Sequence, residues 1–479
     1  MPASDKDEEL SDLKEKFEYP DVSHDGNGVN FYLRLGAVGF GLGTMLLAGF
    51  RISERLENSV TLECRSTLFP INAALMIIFV FTQTFFIFKH HRVIINRRKP
   101  IVRLCLMHLL ATNLSVWLSA VTHETAEDIG RAPHTYRPKI HQREAMRLIG
   151  INSQRQNTYF CSSGMVGLLI TETRVVIDNH SNNSHPRVNC HDTHTLSDLS
   201  APYLYPCMIE YSLIGAAASY RIFLNVGKAI VRRKVSIEEF TSFHSKDECH
   251  RSTKGLFLGL FMILVTLVCV ALFFVFDRSE YTNKTISSLI FVCSEIFLNT
   301  ISFFASIIGI FMIRNLDFTG KDEDTFDDKL LMIAQVGYYM LTTFVALASA
   351  DALAKSKHIP LSPLYLVMSL MGFLQTTAQS FFIFDGFSRC AANDDHVNRK
   401  PGRSVITFLL VVNLAMWATS TFEVKKAEVA ELHVSFYTYL PWSIIMHLCL
   451  PLVIFYRFHS SVCLSDIWHQ AYIKRGKIE

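Results

Sequence analysis

The chain has 479 residues, half of them hydrophobic, with 37 Phe and only 19% charged residues. A soluble protein could not bury so much apolar surface, and a formal net charge of +3 is too small to indicate a nucleic-acid partner. Composition therefore excludes a string of soluble domains and a nucleic-acid-binding protein. It favours an all-α polytopic membrane protein.

Ten apolar stretches are each long enough to cross a bilayer as a helix, which takes about 20 residues. They predict ten transmembrane helices. The acidic and polar segment 1–30 is predicted to be a cytoplasmic tail and not a cleavable signal peptide. In chain order the predicted spans lie at 31–50, 69–88, 102–121, 202–226, 255–276, 286–313, 329–350, 361–384, 403–422 and 436–457.

Two basic connections, within 89–103 and at 232–234, set the expected orientation, because loops rich in Lys and Arg stay in the cytoplasm. Alternation of the spans then predicts a multi-pass protein of the cell membrane, with both termini cytoplasmic and the loop 122–201 outside. Three glycosylation sequons agree with this orientation, because they fall in segments predicted to be extracellular. The sequons are at Asn179, Asn182 and Asn283.

The first four and the last four spans share short motifs in the same order, which predicts a parallel internal repeat. Spans five and six have no partner. The expected organisation is an N-terminal half at 31–227 with four helices, a cytoplasmic linker at 228–254, a C-terminal half at 255–458 with six helices, and a cytoplasmic tail at 459–479. The matched motifs are Val38–Phe40 with Val336–Tyr338, Gln83–Phe88 with Gln379–Phe384, Asn113–Trp117 with Asn413–Trp417, and Tyr220-Arg221 with Tyr456-Arg457.

Four segments of this duplicated sequence resemble the otopetrin family of proton channels: Met107–Leu118, Tyr205–Ile214, Phe422–Glu428 and Pro451–Trp468. The resemblance implies a homodimer whose subunits each contain two similar six-helix halves arranged as barrel-like bundles. This sequence departs from that pattern because its first half has only four spans. Either the sequence lacks an N-terminal part or the first bundle is reduced. Conduction is then expected to depend more on the second bundle and on the interface between the halves.

Ionisable residues within predicted spans are the first candidates for a proton pathway, because such groups are costly in lipid and usually face an interior or a water-filled cavity. Glu210 and His447 occupy nearly equivalent places in the fourth and tenth spans, and we expect them to meet at the interface between the halves. The otopetrin resemblance implies a role in proton conduction for this Glu and this His. The alternative is a buried ion pair or a capped structural group. Glu295 in the sixth span is a second acidic candidate, with a structural role as its alternative.

Amide side chains at matched positions of the two halves are the second group of candidates. Such amides bond between helices, which is the commoner use, or line a polar constriction. The family resemblance favours a narrow, water-lined neck in each half, which Tyr211 would complete in the first half. The residues are Gln83 and Asn113 in the first half, with Gln379 and Asn413 in the second.

Titratable residues also lie at the predicted outer end of the third span. His123 and Glu124 stand at the outer mouth, where a histidine could sense acid. The many histidines of the 122–201 loop match no closed zinc site, so no metal is expected. Arg221, Arg314 and Arg457 lie at predicted cytoplasmic ends, where snorkelling would explain them.

These features predict a proton-selective channel activated by extracellular acid. It would need no cofactor, and its partners would be protons, the lipid bilayer and a second copy of the chain. A proton-coupled secondary transporter of a small solute is the alternative, since it too fits a parallel repeat with ionisable groups at membrane depth. An enzyme is the least favoured reading, because the sequence has no Walker, HExxH or GxSxG motif.

Overall fold

The computed structural model describes residues 17–24, 26, 28–57, 68–131, 196–228, 230–231, 252–277, 281–318, 326–355, 359, 361–422 and 431–472. Within these residues the fold is almost entirely helical. The helices are α1 (Phe31–Glu57), α2 (Leu68–His90), α3 (Lys99–Arg131), α4 (Leu196–Asn225), α5 (Thr253–Asp277), α6 (Tyr281–Ile313), α7 (Phe326–Ala354), α8 (Ser362–Phe387), α9 (Asp394–Arg399), α10 (Arg403–Phe422), α11 (Glu431–Tyr437) and α12 (Tyr439–Gln470).

A long helix occupies each of the ten predicted spans, which confirms the all-α polytopic membrane fold. Nine of the described helices are long and apolar enough to cross a membrane by length and composition. The exception is α4, whose mean hydropathy is lowered by residues such as Glu210 and Arg221. Because α4 packs between α1 and α3, it needs less apolar surface facing lipid. The division into four and six helices stays a prediction.

The helices of the second half form a closed ring. Going round it, α5 packs on α6, α6 on α8, α8 on α7, α7 on α12, α12 on α10, and α10 returns to α5. We call this ring the second bundle. The first half has the order α2, α1, α4, α3, with no comparable packing between the described parts of α2 and α3. We call it the open arc. In the second bundle α5 and α6 close the ring between α10 and α8, whereas among the described residues no helix fills the gap between α3 and α2.

Helix α12 joins the two halves, because it packs against α1, α3 and α4 as well as inside its own ring. Gly36 of α1 allows one close approach: a Cβ atom there would lie 2.3 Å from the ring of Phe458. Beyond the predicted end of the tenth span, α12 continues to Gln470, and most of its residues from His459 to Ile467 are buried. Small and polar side chains give this last stretch a weak hydropathy signal although it packs inside the protein.

Three short antiparallel strand pairs connect chain segments at one end of the helices. Phe17–Glu18 (β1) pairs with Ile230–Val231 (β4), Val22–Ser23 (β2) with Ile94–Ile95 (β3), and Asp317–Phe318 (β5) with Arg389–Cys390 (β6). The basic connection between α2 and α3 lies at this end, which we call the basic end. The opposite end, where α3 ends and α12 begins, is the far end.

Candidate functional site

A small cavity of about 10 Å³, room for about one water molecule, lies between the two halves, bounded by α3, α4 and α12. Glu210 of α4 and His447 of α12 both line it, so the structure brings these two candidates together at the interface. Glu124 of α3 lines the same cavity, and the other walls are apolar side chains and two prolines. We call it the interface cavity.

Glu210 is a buried carboxyl group with unused hydrogen-bonding capacity. Only 1% of its surface is exposed, and neither carboxylate oxygen has a hydrogen-bond partner among the described residues. Buried carboxyl groups in folded proteins are usually bonded or paired, so a role as a buried ion pair finds no support within the described part of the chain. A carboxyl group that lines a cavity and has unpartnered oxygens is suited to exchange a proton with a water molecule in that cavity.

His447 is held by its own helix in a defined orientation. Its Nδ1 atom lies 2.8 Å from the carbonyl oxygen of Ser443, which is the geometry of an N–H donating to that oxygen. This bond makes Nε2 the ring atom with the basic lone pair. Pro451 lies four residues further along α12 and has no N–H to donate to the carbonyl of His447, so the regular helical bonding is interrupted at the cavity.

The two candidates at the far end of α3 have different surroundings. Glu124 reaches the interface cavity. His123 is engaged beside it: its Nδ1 lies 2.6 Å from the hydroxyl of Tyr205, and Arg51 donates to the same hydroxyl at 2.8 Å. The predicted outer-mouth pair therefore lies next to the interface cavity, with one residue lining it and the other bonded to its neighbours.

The second bundle contains a continuous chain of polar side chains. Thr419 donates to Oε1 of Glu295 at 2.7 Å, and Asn299 donates to Oε2 at 3.1 Å. The guanidinium of Arg457 donates at 3.0 Å to the carbonyl oxygen of the Asn299 side chain. It also donates to the Tyr338 hydroxyl. Glu295, a predicted pathway residue, is therefore linked to a cation through one amide.

The chain continues from Arg457 toward the basic end through three amides. Arg457 donates to Oε1 of Gln375 at 2.7 Å, and Gln375 donates to Oε1 of Gln379 at 2.8 Å. Gln379 and Asn413 then bond reciprocally, at 3.0 and 2.9 Å. The structure thus brings the two predicted amides of this half into direct contact. We call the whole set the Arg457 network; it consists of Thr419, Glu295, Asn299, Tyr338, Arg457, Gln375, Gln379 and Asn413.

Arg457 corrects an interpretation made from the sequence. Its position near a predicted cytoplasmic end suggested snorkelling, yet only 1% of its surface is exposed. That interpretation was wrong, because the helix continues past Arg457 and buries it. Its repeat equivalent Arg221 is partly exposed and lies over the ring of Phe326.

The matched amides of the open arc are close together but are not joined. Gln83 and Asn113 both approach Gly215, where a Cβ atom would lie 2.5 Å from an amide atom of each. Both amide atoms of Gln83 and the carbonyl oxygen of the Asn113 side chain lack partners among the described residues. Tyr211 has bonds of its own, because it donates to the carbonyl of Val80 and accepts from Thr84. The three predicted residues therefore surround one region without forming a network.

A larger cavity of about 100 Å³ occupies the far-end side of the second bundle. It extends from His433 and Trp442 to Glu295, Asn299 and Tyr338, so it ends where the Arg457 network begins. Its lining does not include the amides on the basic side of Arg457. We call it the bundle cavity. Met446 and Leu450 of α12 line this cavity on one side and the interface cavity on the other.

His433 caps the bundle cavity and was missed in the sequence. Its ring stacks on Trp442 with 4.2 Å between centroids, and neither ring nitrogen has a hydrogen-bond partner among the described residues. Burial lowers the pKa of His433 to about 3, so the ring is neutral. The signal that could have identified it is the cluster of aromatic residues around it in sequence. Of the glycosylation candidates, Asn179, Asn182 and the side chain of Asn283 lie outside the described residues.

Comparison with known proteins gives one consistent result. The sequence model of the family described as Otopetrin matches residues 32–458. The chain is 32% identical over 465 residues to the proton channel OtopLc of Drosophila melanogaster. The match covers 92% of this chain and 28% of the relative. It is 23% identical over 510 residues to the proton channel OTOP2 of Homo sapiens, covering 93% of this chain and 83% of the relative. Because the family model spans nearly the whole sequence, this chain belongs to the otopetrin family.

Proposed function

We propose that the chain conducts protons across its membrane along the interface cavity. The observation that carries the proposal is that a carboxyl group of one half and an imidazole of the other line a single cavity. The buried oxygens of Glu210, unpartnered among the described residues, support a role in proton exchange. The relatives that match this chain are named as proton channels, which supports the same function.

Glu210 and His447 would act as two stations for a moving proton. A carboxylate and the Nε2 atom of a neutral imidazole can each accept a proton and release it again. A cavity this narrow can pass protons between such groups and water while excluding hydrated Na⁺. Selectivity for protons then follows from the titration of these two side chains and needs no opening wide enough for a hydrated metal ion.

We assign the far end to the outside of the cell, because the basic connection between α2 and α3 lies at the other end. Both termini are then cytoplasmic. Glu124 would form the outer entrance of the interface cavity, and His123 beside it would respond to extracellular acid. We further propose a homodimer in the cell membrane, in line with the family resemblance, and a polar neck formed by Gln83, Asn113 and Tyr211 in the open arc.

Proton flux into liposomes that contain only this protein tests the proposal. A pH gradient with no added solute should drive acidification, and the reversal potential should follow the pH gradient alone. A proton-coupled transporter would require a second solute for the same flux. Sizeable Na⁺ or K⁺ permeability, or no flux without a solute, would refute the channel. An epitope tag near Ser184 should be accessible to antibody on intact cells if the far end is outside.

A further inference from the structure

The second bundle contains a buried positive charge without a direct ionic partner. Among the described residues no carboxylate lies within 4 Å of the Arg457 guanidinium, and its hydrogen bonds go to two amide oxygens and a hydroxyl. A guanidinium keeps its charge in proteins, so this cation is a permanent feature of the bundle interior. The ring faces of Tyr338 and Tyr456, 4.7 and 5.6 Å from its central carbon, hold it in place.

The position of Arg457 along the bundle decides what this charge does. The bundle cavity extends from the far end to Glu295, Asn299 and Tyr338, and the last two of these contact Arg457. Beyond it, Gln375, Gln379 and Asn413 satisfy one another, with both amide groups of the last pair engaged in reciprocal bonds. A proton entering the bundle cavity would therefore reach Glu295 and then face a fixed cation backed by closed amides.

We propose that Arg457 closes the second bundle to protons, so that the bundle cavity is a blind vestibule and the interface cavity is the conducting route. An arginine in a narrow pore raises an electrostatic barrier to protons and other cations. The amides beyond it are neutral, so the electrostatic barrier is that of Arg457 alone. The proposal rests on the proposed function for the interface route. The Arg457 barrier itself follows from the network and the cavity lining.

The test starts from a background in which the interface route is disabled by Glu210→Gln and His447→Asn. Adding Arg457→Gln removes the charge and leaves Glu295 as a titratable group at the bottom of the vestibule. Proton flux in liposomes should then rise about tenfold or more over the background, which corresponds to removing about 1.4 kcal/mol of barrier. Arg457→Lys keeps a positive charge and should give no gain.

Arg221→Gln is the matched control, because Arg221 occupies the equivalent place in the repeat but lies partly exposed over Phe326. It should leave the background flux unchanged. A second variant protects the test if Arg457→Gln does not fold. Gln375→Glu puts a carboxylate where an amide oxygen now accepts from Arg457 at 2.7 Å, so it neutralises the charge without removing the side chain. It should also raise the flux.

Monodisperse Arg457→Gln or Gln375→Glu protein with no flux above the background would overturn the barrier, as would an equal gain from Arg457→Lys or Arg221→Gln. Failure of the proposed function gives a different result. If the background with both interface substitutions conducts like the unmodified chain, the interface route is wrong, while a gain from Arg457→Gln still supports the barrier.

Discussion

The second bundle and the open arc contain the same amide pair, yet only one of them uses it. Gln379 and Asn413 bond reciprocally, whereas Gln83 leaves both of its amide atoms without partners among the described residues. The reason is the neighbours. In the second bundle, α6 contributes Asn299 and Glu295, and α8 contributes Gln375, where the arc has Phe79 at the equivalent position. A repeated motif thus becomes a closed network only where the surrounding helices complete it.

Burial shows the same difference on a larger scale. In the most apolar part of each span, 22% of the residues are buried in α2 and in α3. The corresponding shares in their repeat equivalents are 50% in α8 and 67% in α10. Helices α5 and α6 cover the faces that remain exposed in the arc. Sequence similarity between the halves therefore does not make them interchangeable. The second bundle is the more completely buried unit, and the route proposed for protons runs along its outer wall.

The largest expected effect separates the interface from the bundle. Glu210→Gln and His447→Asn should each reduce proton flux per molecule by about a hundredfold, because an amide cannot relay a proton by titration. Glu295→Gln, in the proposed blind vestibule in front of Arg457, should leave the flux within about twofold. Flux in liposomes at matched protein content measures all three. Flux like that of the unmodified chain from either interface variant would end the pathway role.

The amide pairs provide a test of the network itself. Asn413→Ala breaks both bonds with Gln379 and should lower the free energy of unfolding by about 1–3 kcal/mol, because it leaves a buried amide unsatisfied. Asn113→Ala removes only the intrahelical bond to the carbonyl of Leu109, so its cost should be below about 1 kcal/mol. Thermal unfolding in detergent gives the comparison. Equal shifts would mean that the second bundle gains nothing from joining its amides.

Two glycines at matched positions of the repeat sharpen the comparison of packing. A Cβ atom on Gly337 of α7 would lie 2.3 Å from Leu452, whereas one on Gly39 of α1 meets nothing within 4 Å. Gly337→Ala should therefore cost about 1–3 kcal/mol of stability through overpacking. Gly39→Ala should be neutral or should stabilise by up to about 1 kcal/mol, since glycine disfavours helices. Gly337→Ala should lower the melting temperature, whereas Gly39→Ala should leave it unchanged or raise it. A similar decrease in both variants would contradict the difference in packing.

A smaller effect should appear as a pH dependence at the far end of the second bundle. The folded state holds His433 neutral with a pKa of about 3, whereas the unfolded chain protonates it below about pH 6.5. Keeping His433 neutral therefore costs no stability above about pH 6.5. The free energy of unfolding then decreases as pH falls toward 3, by at most about 1.4 kcal/mol per pH unit. His433→Phe keeps the stacking and should flatten the decline of melting temperature between pH 7.5 and 5. His469→Gln, at an exposed position, should not.

The sequence was sufficient for the parts of the structure that depend on local pattern. Apolar runs located all ten long helices, and the motif offsets identified equivalent positions in the two halves. The meeting of Glu210 and His447 also followed, because both lie in helices at the predicted boundary. Arg457 could not be recognised in this way. Its partners Asn299, Tyr338 and Gln375 are far away in the chain, and hydropathy alone does not distinguish a buried arginine from a snorkelling one. His433 was missed because its environment depends on how α11 folds back onto α12.

Helix α12 separates the two cavities as a shared partition. Met446 and Leu450 form a wall shared by both cavities, so displacing this part of the helix enlarges one compartment as it shrinks the other. Pro451 weakens the helix directly after this wall, and helices bend most readily at such points. Pro451 lies between His447 and Arg457, and the hydrogen bonds of Arg457 hold the segment that follows it. If the two cavities have the roles proposed for them, enlarging the bundle cavity and widening the interface cavity are opposed through a single helix.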